Sequence, residues 1–212
     1  MNIRLTLVAD GPFDSALLPI LVHALRRDSR VAETDATFAH PQKLPPSCDG
    51  LARRVDAALG LYPANLLVVH RDAERESLEV RRQEIDRDLR RLTPVLPPWA
   101  TAIPVRMTEA WLLFDIAAIR RAAGNPNGRA PLRLPRVQDL ETIPDPKRIL
   151  YDALTDASGR SGRALSKFSA RESAGRVAEL IDDFSPLEVL SSYRHLRESL
   201  TSALDLLSGR RA

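Results

Sequence analysis

The sequence predicts an α/β protein with a mostly parallel sheet flanked by helices and an all-helical C-terminal extension. Residues 65–70, "NLLVVH", form a short unbroken apolar run, as in a parallel strand covered on both faces. Strand-like and helix-like segments alternate through residues 1–123 at the spacing of βαβ units. From Asp145-Pro146 onward the apolar spacing is helical throughout. The organisation that follows is an α/β domain over 1–123, a Pro- and Gly-rich connecting loop over 124–144, and a helical extension over 145–212 packed on the sheet domain.

The elements follow in order. "IRLTLVA" at 3–9 alternates and then runs apolar, so it reads as a first strand rather than a leader peptide; it lacks the apolar core and small-residue cleavage site of one. "DGP" makes a turn, with Pro12 suited to a first helical position. "FDSALLPILVHALRR" has helical apolar spacing through Phe13, Leu17, Leu18, Leu21 and Leu25, and Pro19 is expected to kink it or mark a boundary. A more polar strand at 31–39 belongs nearer a sheet edge, and a short helix at 50–61 would start from Ser47 or Asp49. "SLEVRRQEIDRDLRRL" places Leu78, Ile85, Leu89 and Leu92 on one face of a charged helix. A short strand in "PPWATAIPV" precedes "TEAWLLFDIAAIRRAAG", which reads as one strongly apolar helix capped by Thr108 and ended by Gly124. Helices are expected at 146–157, 169–183 and 186–208.

Composition narrows the function classes. Of 212 residues 44% are hydrophobic and 28% charged, ordinary for a globular protein, and no run of about 18 apolar residues suggests a membrane span. Cys48 is the sole cysteine, which excludes an intramolecular disulfide and a cysteine-based zinc site and suits a cytoplasmic setting. Of the 31 basic residues only Lys43, Lys147 and Lys167 are lysines, and Arg is the better bidentate phosphate ligand. The net charge of +3 tolerates nucleic acid without demanding it.

"HRD" at 70–72 invites comparison with a kinase catalytic loop. That loop needs Asn five residues after the Asp, where this chain has Ser77, and the Gly-rich loop and Asp-Phe-Gly are absent. No Walker A loop and no Gly-x-Ser-x-Gly elbow is present either. The two tryptophans, Trp99 and Trp111, are too few for a base-stacking platform and read as core.

The acids suggest more. Two strands end in them, "LVADGPFD" at Asp10 and "LLVVHRDAE" at Asp72. If the first and third strands are neighbours, their ends lie about 5 Å apart, and Asp10, Asp72 and Glu74 converge. Crowded carboxylates repel unless a cation or proton sits among them, and an oxygen-rich site suits Mg²⁺ or Mn²⁺. Glu109 is brought toward the same sheet end by its apolar neighbours Trp111, Leu112 and Leu113. Each acid also has a structural role open to it, as a turn residue or helix cap.

At these residues the chain resembles a family. A first strand ending in acid-Gly-Pro-x-Asp, a central strand ending in x-Arg-Asp-Ala, then "TEAWLLFD", "DPKRIL" at 145–150 and "SKFSARESAGRVAELID" at 166–182 look like the Toprim-like proteins of the bacterial domain-of-unknown-function class 4276. Toprim domains also occur in topoisomerases, primases and OLD-type nucleases. The resemblance implies a Toprim-like, Rossmann-like sheet carrying a Glu as general acid/base and an Asp-x-Asp that binds Mg²⁺. Asp10 takes the Glu position, His70 the first Asp and Asp72 the second, while Glu109 matches the acid of the Glu-Ala-Trp-like motif. Asp10 is one methylene shorter than Glu, and the imidazole of His70 suits Mn²⁺ or Zn²⁺ better than Mg²⁺.

The implied function is a divalent-metal-dependent phosphodiester hydrolase, a nuclease, in defence against mobile elements such as phage, beside an OLD- or ABC-type ATPase. Asp10 or Glu109 would activate the nucleophile; Asp72, His70, Glu74 and Asp10 would hold the metal. Arg71, Lys147, Arg163, Lys167 and Arg171 are the candidate phosphate and nucleic-acid ligands. Of these, the last three lie in the Gly- and Ser-rich "GRSGRALSKFSARESAGR", which reads as a mobile loop or a solvated surface. The alternative is a degenerate subunit that binds a partner ATPase or nucleic acid without cutting, which His70 favours. The C-terminal helices could supply a homodimer face, a partner dock or a lid.

Overall fold

The computed structural model describes residues 1–92 and 96–209. Four parallel strands form one sheet in the order β2-β1-β3-β4: β1 (Asn2–Val8), β2 (Glu33–Ala39), β3 (Leu66–His70) and β4 (Trp99–Ala102). The chain places β2 to one side of β1 and β3 to the other, so the strand order reverses between β1 and β3. Crevices at such a switch point, beyond the carboxyl ends of the strands, are where parallel sheets bind ligands. Val8 pairs with Val69, so Asp10 leaves β1 level with Arg71, one residue past His70 at the carboxyl end of β3. No helix among the described residues is long and apolar enough to cross a membrane.

Every residue of β3 is buried, because both sheet faces are covered. The side chains alternate. Leu66 and Val68 join Ile3, Leu5 and Leu7 in one apolar cluster, while Leu67 and Val69 join the other. Helices α2 (Leu51–Leu61) and α3 (Leu78–Leu89) cover the second face. The first is covered by α1 (Leu17–Arg26), α4 (Ile116–Ala122), α5 (Pro146–Ser158), α7 (Ala170–Leu180) and α8 (Ser191–Leu207). The C-terminal helices therefore share one continuous core with the sheet. β2 is an edge strand with a half-exposed pattern, as its polarity predicts. The other edge, β4, is closed by α8: the Thr101 N–H donates to Ser199 Oγ, and Thr101 Oγ1 lies 2.8 Å from His195 Nε2.

Local chemistry corrects several sequence expectations. The stretch 108–123 is two pieces, a 3-10 turn (Thr108–Leu112) and α4, because Asp115 caps α4 by accepting the Ala118 N–H. Residues 12–26 likewise divide into a 3-10 turn (Pro12–Ala16) and α1, with Pro19 in the first turn of α1, where its missing N–H costs no helical bond. Gly50, not Ser47 or Asp49, stands at the N-cap of α2, with φ +90°, and those two residues form their own 3-10 turn. The stretch expected to be a mobile loop holds α6 (Gly162–Leu165) and the start of α7, whose N-cap Ser169 accepts from the Glu172 N–H.

Helix α8 has Leu190 at its N-cap, which offers no side-chain acceptor, so its cap comes from elsewhere. Glu141, in the 3-10 turn Val137–Thr142, accepts from the N–H and hydroxyl of Ser191 (3.2 and 2.8 Å) and of Ser192 (2.7 and 2.6 Å). Ser192 Oγ in turn accepts from the buried Trp111 Nε1–H at 3.2 Å. Burial alone would raise the Glu141 pKa, but the bonds from Ser192 and Ser191 outweigh it and the net shift is downward. A depressed carboxyl contributes stability above its unfolded pKa of about 4.3, and loses it as pH falls through the folded value. Glu141→Gln is expected to destabilise by about 1–2 kcal/mol at pH 7. In thermal melts run at falling pH, the gap between variant and wild type should close below about pH 4; a gap constant with pH would mean that the charge is irrelevant to the cap.

Candidate functional site

The 3-10 turn after β1 determines which acid faces inward. Pro12 starts the turn, and at about three residues per turn Asp14 comes back beneath Gly11. Asp14 Oδ2 accepts the Gly11 N–H at 2.8 Å, which leaves Oδ1 facing His70 Nε2 at 3.5 Å. Asp10 takes a different path. Its carboxylate bonds to Arg54 Nη1 at 2.5 Å, lies 3.7 Å from Arg71 Nε, and is half exposed. Arg54, on α2, is 3% exposed and also donates to Ser47 Oγ and to the Ala9 carbonyl, each at 2.8 Å.

The loops after β3 and β4 run on as a paired ribbon. N–H groups of Arg71, Ala73 and Glu74 donate to the carbonyls of Ala102, Pro104 and Arg106, at 3.3, 3.0 and 3.0 Å. This ribbon carries His70 and Asp72 to the cavity. His70 is buried, with Nδ1 2.9 Å from the Ala102 carbonyl, so Nδ1 carries a proton and donates it there. Its Nε2 faces Asp14 Oδ1 and Asp72 Oδ1, each at 3.5 Å, and Thr108 Oγ1 at the same distance. The Thr108 N–H donates to Asp72 Oδ1 at 3.0 Å and fixes that carboxylate.

Charge is crowded here. Burial raises the Asp72 pKa to about 6; His70 opposes the shift, Asp14 and Glu109 add to it, and the Thr108 N–H opposes it. Burial disfavours the His70 imidazolium, but Asp14 and Asp72 outweigh burial, and its pKa is raised. Glu109 is 5% exposed; burial raises its pKa, partly offset by its own backbone N–H and by Lys147.

The cavity in front of this cluster has a volume of about 290 Å³, with Asp10, Asp14, His70, Asp72 and Glu74 on its acidic side and Arg71 and Arg81 on its basic side. Of the residues expected from sequence, Asp10, His70, Arg71, Asp72 and Glu74 are brought together. Glu109 is within the cluster's electrostatic reach but off the cavity wall. Lys147 acts on Glu109 from the start of α5, and its ammonium also lies 5.9 Å from the Tyr151 ring centroid. Arg163, Lys167 and Arg171 are exposed and line neither this cavity nor its neighbour. Sequence reasoning missed Asp14, Arg54, Arg81 and Thr108 as site residues. For Asp14 a signal was present: Pro12 at a turn start followed two residues later by an acid. For Arg54, 44 residues from its partner, there was none.

The donor set fits a divalent cation in part. An imidazole whose Nδ1–H is held by a backbone carbonyl presents an Nε2 lone pair, as metal-ligating histidines do. Asp14 and Asp72 direct carboxylate oxygens toward the same atom. Among the described residues, however, no group of three or more His, Cys, Asp or Glu side chains stands at preformed metal-site spacing. The carboxylates would have to close on an ion. No family model matches the chain, and neither curated proteins nor solved structures include a significant match.

Proposed function

We propose that the protein is a divalent-metal-dependent phosphodiester hydrolase acting on nucleic acid. The observation that carries this reading is the convergence of Asp14 and Asp72 on His70 Nε2, at 3.5 Å each, with Nδ1 already committed to Ala102. Three electron-rich groups aimed at one another need a cation or a proton between them. Asp14, His70 and Asp72 would hold the ion, with Mn²⁺ a better match than Mg²⁺ for a site containing imidazole. Once bound, such an ion neutralises phosphate charge and lowers the pKa of coordinated water.

The remaining tasks fall to the chain. Arg71 and Arg81, on the basic wall, would hold the phosphate. Thr108 keeps Asp72 oriented through its N–H. Glu109, whose pKa burial raises, lies off the cavity wall and is suited to act on the cluster electrostatically rather than to touch substrate. Asp10 and Glu74 line the cavity and are the carboxylates placed to accept a proton from an attacking water. The resemblance to Toprim-like proteins supports the same reading.

A second reading rests on the same contacts. If His70 holds a proton on Nε2, its imidazolium closes the cluster without metal, and the protein binds a partner ATPase or nucleic acid without cutting. Titration calorimetry of Mn²⁺ into wild type and Asp14→Ala, in two buffers of different ionisation enthalpy, separates the two. The hydrolase reading expects binding to wild type with release of about one proton per ion, and loss of binding in the variant. It also expects Mn²⁺-dependent cleavage of plasmid or single-stranded DNA. Absence of Mn²⁺ binding to wild type would leave the imidazolium form standing.

A further inference from the structure

A second cavity, of about 400 Å³, abuts the first and shares two of its wall residues, Glu74 and Arg81. Its other lining includes Arg75, Arg106, Met107 and Pro144. Resting on the hydrolase reading above, we infer that the two cavities form one track for a single strand of nucleic acid. In this arrangement Arg75, Arg81 and Arg106 take the phosphate of the nucleotide next to the one at the acidic centre.

Charge is the first support. Other arginines at the acidic centre are already engaged: Arg54 and Arg71 both meet Asp10. Arg75 and Arg106 form no ion pair and no side-chain hydrogen bond among the described residues. Arg81 meets Glu84 at 2.7 Å through Nη1, while its Nε is buried without a hydrogen-bond partner. Three guanidiniums thus line one cavity; Glu84 engages one end of Arg81, while Arg75 and Arg106 are left without a carboxylate partner. An anion supplies what these donors lack.

Backbone geometry is the second. Among the described residues, Glu74 (φ +54°) and Arg106 (φ +72°) are the non-glycine residues in the left-handed region, and the Glu74 N–H donates to the Arg106 carbonyl at 3.0 Å. Each conformation costs of the order of 1 kcal/mol and needs its surroundings to hold it. Both lie on the wall of the second cavity, and the bond between them fixes Arg106 relative to the shared wall. Size and surface are the third. Cavities of about 290 and 400 Å³ each suit one nucleotide, too small for a double helix, and Met107 and Pro144 offer an apolar face to a base.

The test is fluorescence anisotropy with a short labelled oligothymidylate, in EDTA, so that neither metal binding nor cleavage enters. Wild type should bind, with affinity falling as salt rises. Arg81→Gln and Arg106→Asn should each weaken binding by about fivefold to tenfold at low salt and flatten the log–log salt slope by about 0.7. Asn tolerates the left-handed backbone at 106, and thermal melts confirm that each variant is folded. Lys167→Gln and Arg171→Gln should leave binding unchanged. Unchanged affinity in Arg81→Gln and Arg106→Asn, tighter binding of a duplex than of the single strand at equal salt, or no binding by wild type would each overturn the track. Oligonucleotide binding that depends on Arg81 and Arg106 in a protein that never cleaves would remove the hydrolase reading and keep the track.

Discussion

Asp72→Asn is expected to stabilise the metal-free protein and to abolish its stabilisation by Mn²⁺. The carboxyl of Asp72 has its pKa raised from 3.8 to about 6, chiefly by burial and against the attraction of His70. A carboxyl raised in the folded state is protonated there at pH values where the unfolded chain has already lost its proton. The folded state therefore binds more protons between about pH 4 and pH 6, and stability falls as pH rises through that window. Above it the penalty is fully present. Taken at face value, the shift corresponds to about 3 kcal/mol. The side chain is 30% exposed, so solvent screening reduces this to about 1–2 kcal/mol. Asn keeps an oxygen for the Thr108 N–H and removes the charge.

In EDTA at pH 7.5 the variant should therefore melt above wild type, by about 2–4 °C for each kcal/mol gained. The advantage should disappear below about pH 4. With Mn²⁺ the order should invert, because only wild type gains from the bound ion. Ligand removal should cost at least the roughly 100-fold in affinity that losing an outer-shell partner can cost. A variant less stable than wild type in EDTA would show that Asp72 is there for the fold. This exchange of stability for a charged cluster is the usual signature of a functional site.

The parts of this cluster were unequally legible in the sequence. β3 announced itself, because a continuous apolar run ending in polar residues has few other solutions in a parallel sheet. The end of such a run lies at the sheet's carboxyl edge, so the sequence alone places His70, Asp72 and Glu74 there. The adjacency of β1 and β3 had to be assumed. The inward-facing acid after β1 could not be chosen by position alone. Asp10 is nearest the strand end, but the tightness of a 3-10 turn and the Gly11 N–H decide that Asp14 meets His70. The break at Asp115 was hidden because its apolar neighbours keep helical spacing across it, while a side-chain cap overrides periodicity. The basic stretch 160–176 drew attention by composition, yet the arginines that reach the cavities are scattered through 71–106, among acids that mask them in any count of charge.

Asp10→Ala is expected to destabilise the protein by about 2–3 kcal/mol while leaving Mn²⁺ affinity within about threefold of wild type. Arg54 is 3% exposed, and its carboxylate partner is Asp10. Removing that partner leaves a guanidinium in the interior with Ser47 Oγ and the Ala9 carbonyl, neither of which carries charge. Stranding a buried charge costs about 3–5 kcal/mol when both partners are dry; here Asp10 is half exposed, so about 2–3 kcal/mol is expected. Arg54→Met should also destabilise, but the double variant should recover part of the loss, because no ion is then left without its mate. Urea unfolding of the four proteins gives the coupling directly, and calorimetry on the same samples gives the metal affinity. A double variant that is simply the sum of its parts would mean that the pair is not a unit. Loss of Mn²⁺ binding with stability unchanged in Asp10→Ala would exchange the roles of Asp10 and Asp14. The carboxylate at the strand end would then be the ligand, and the one held beneath Gly11 would serve the turn.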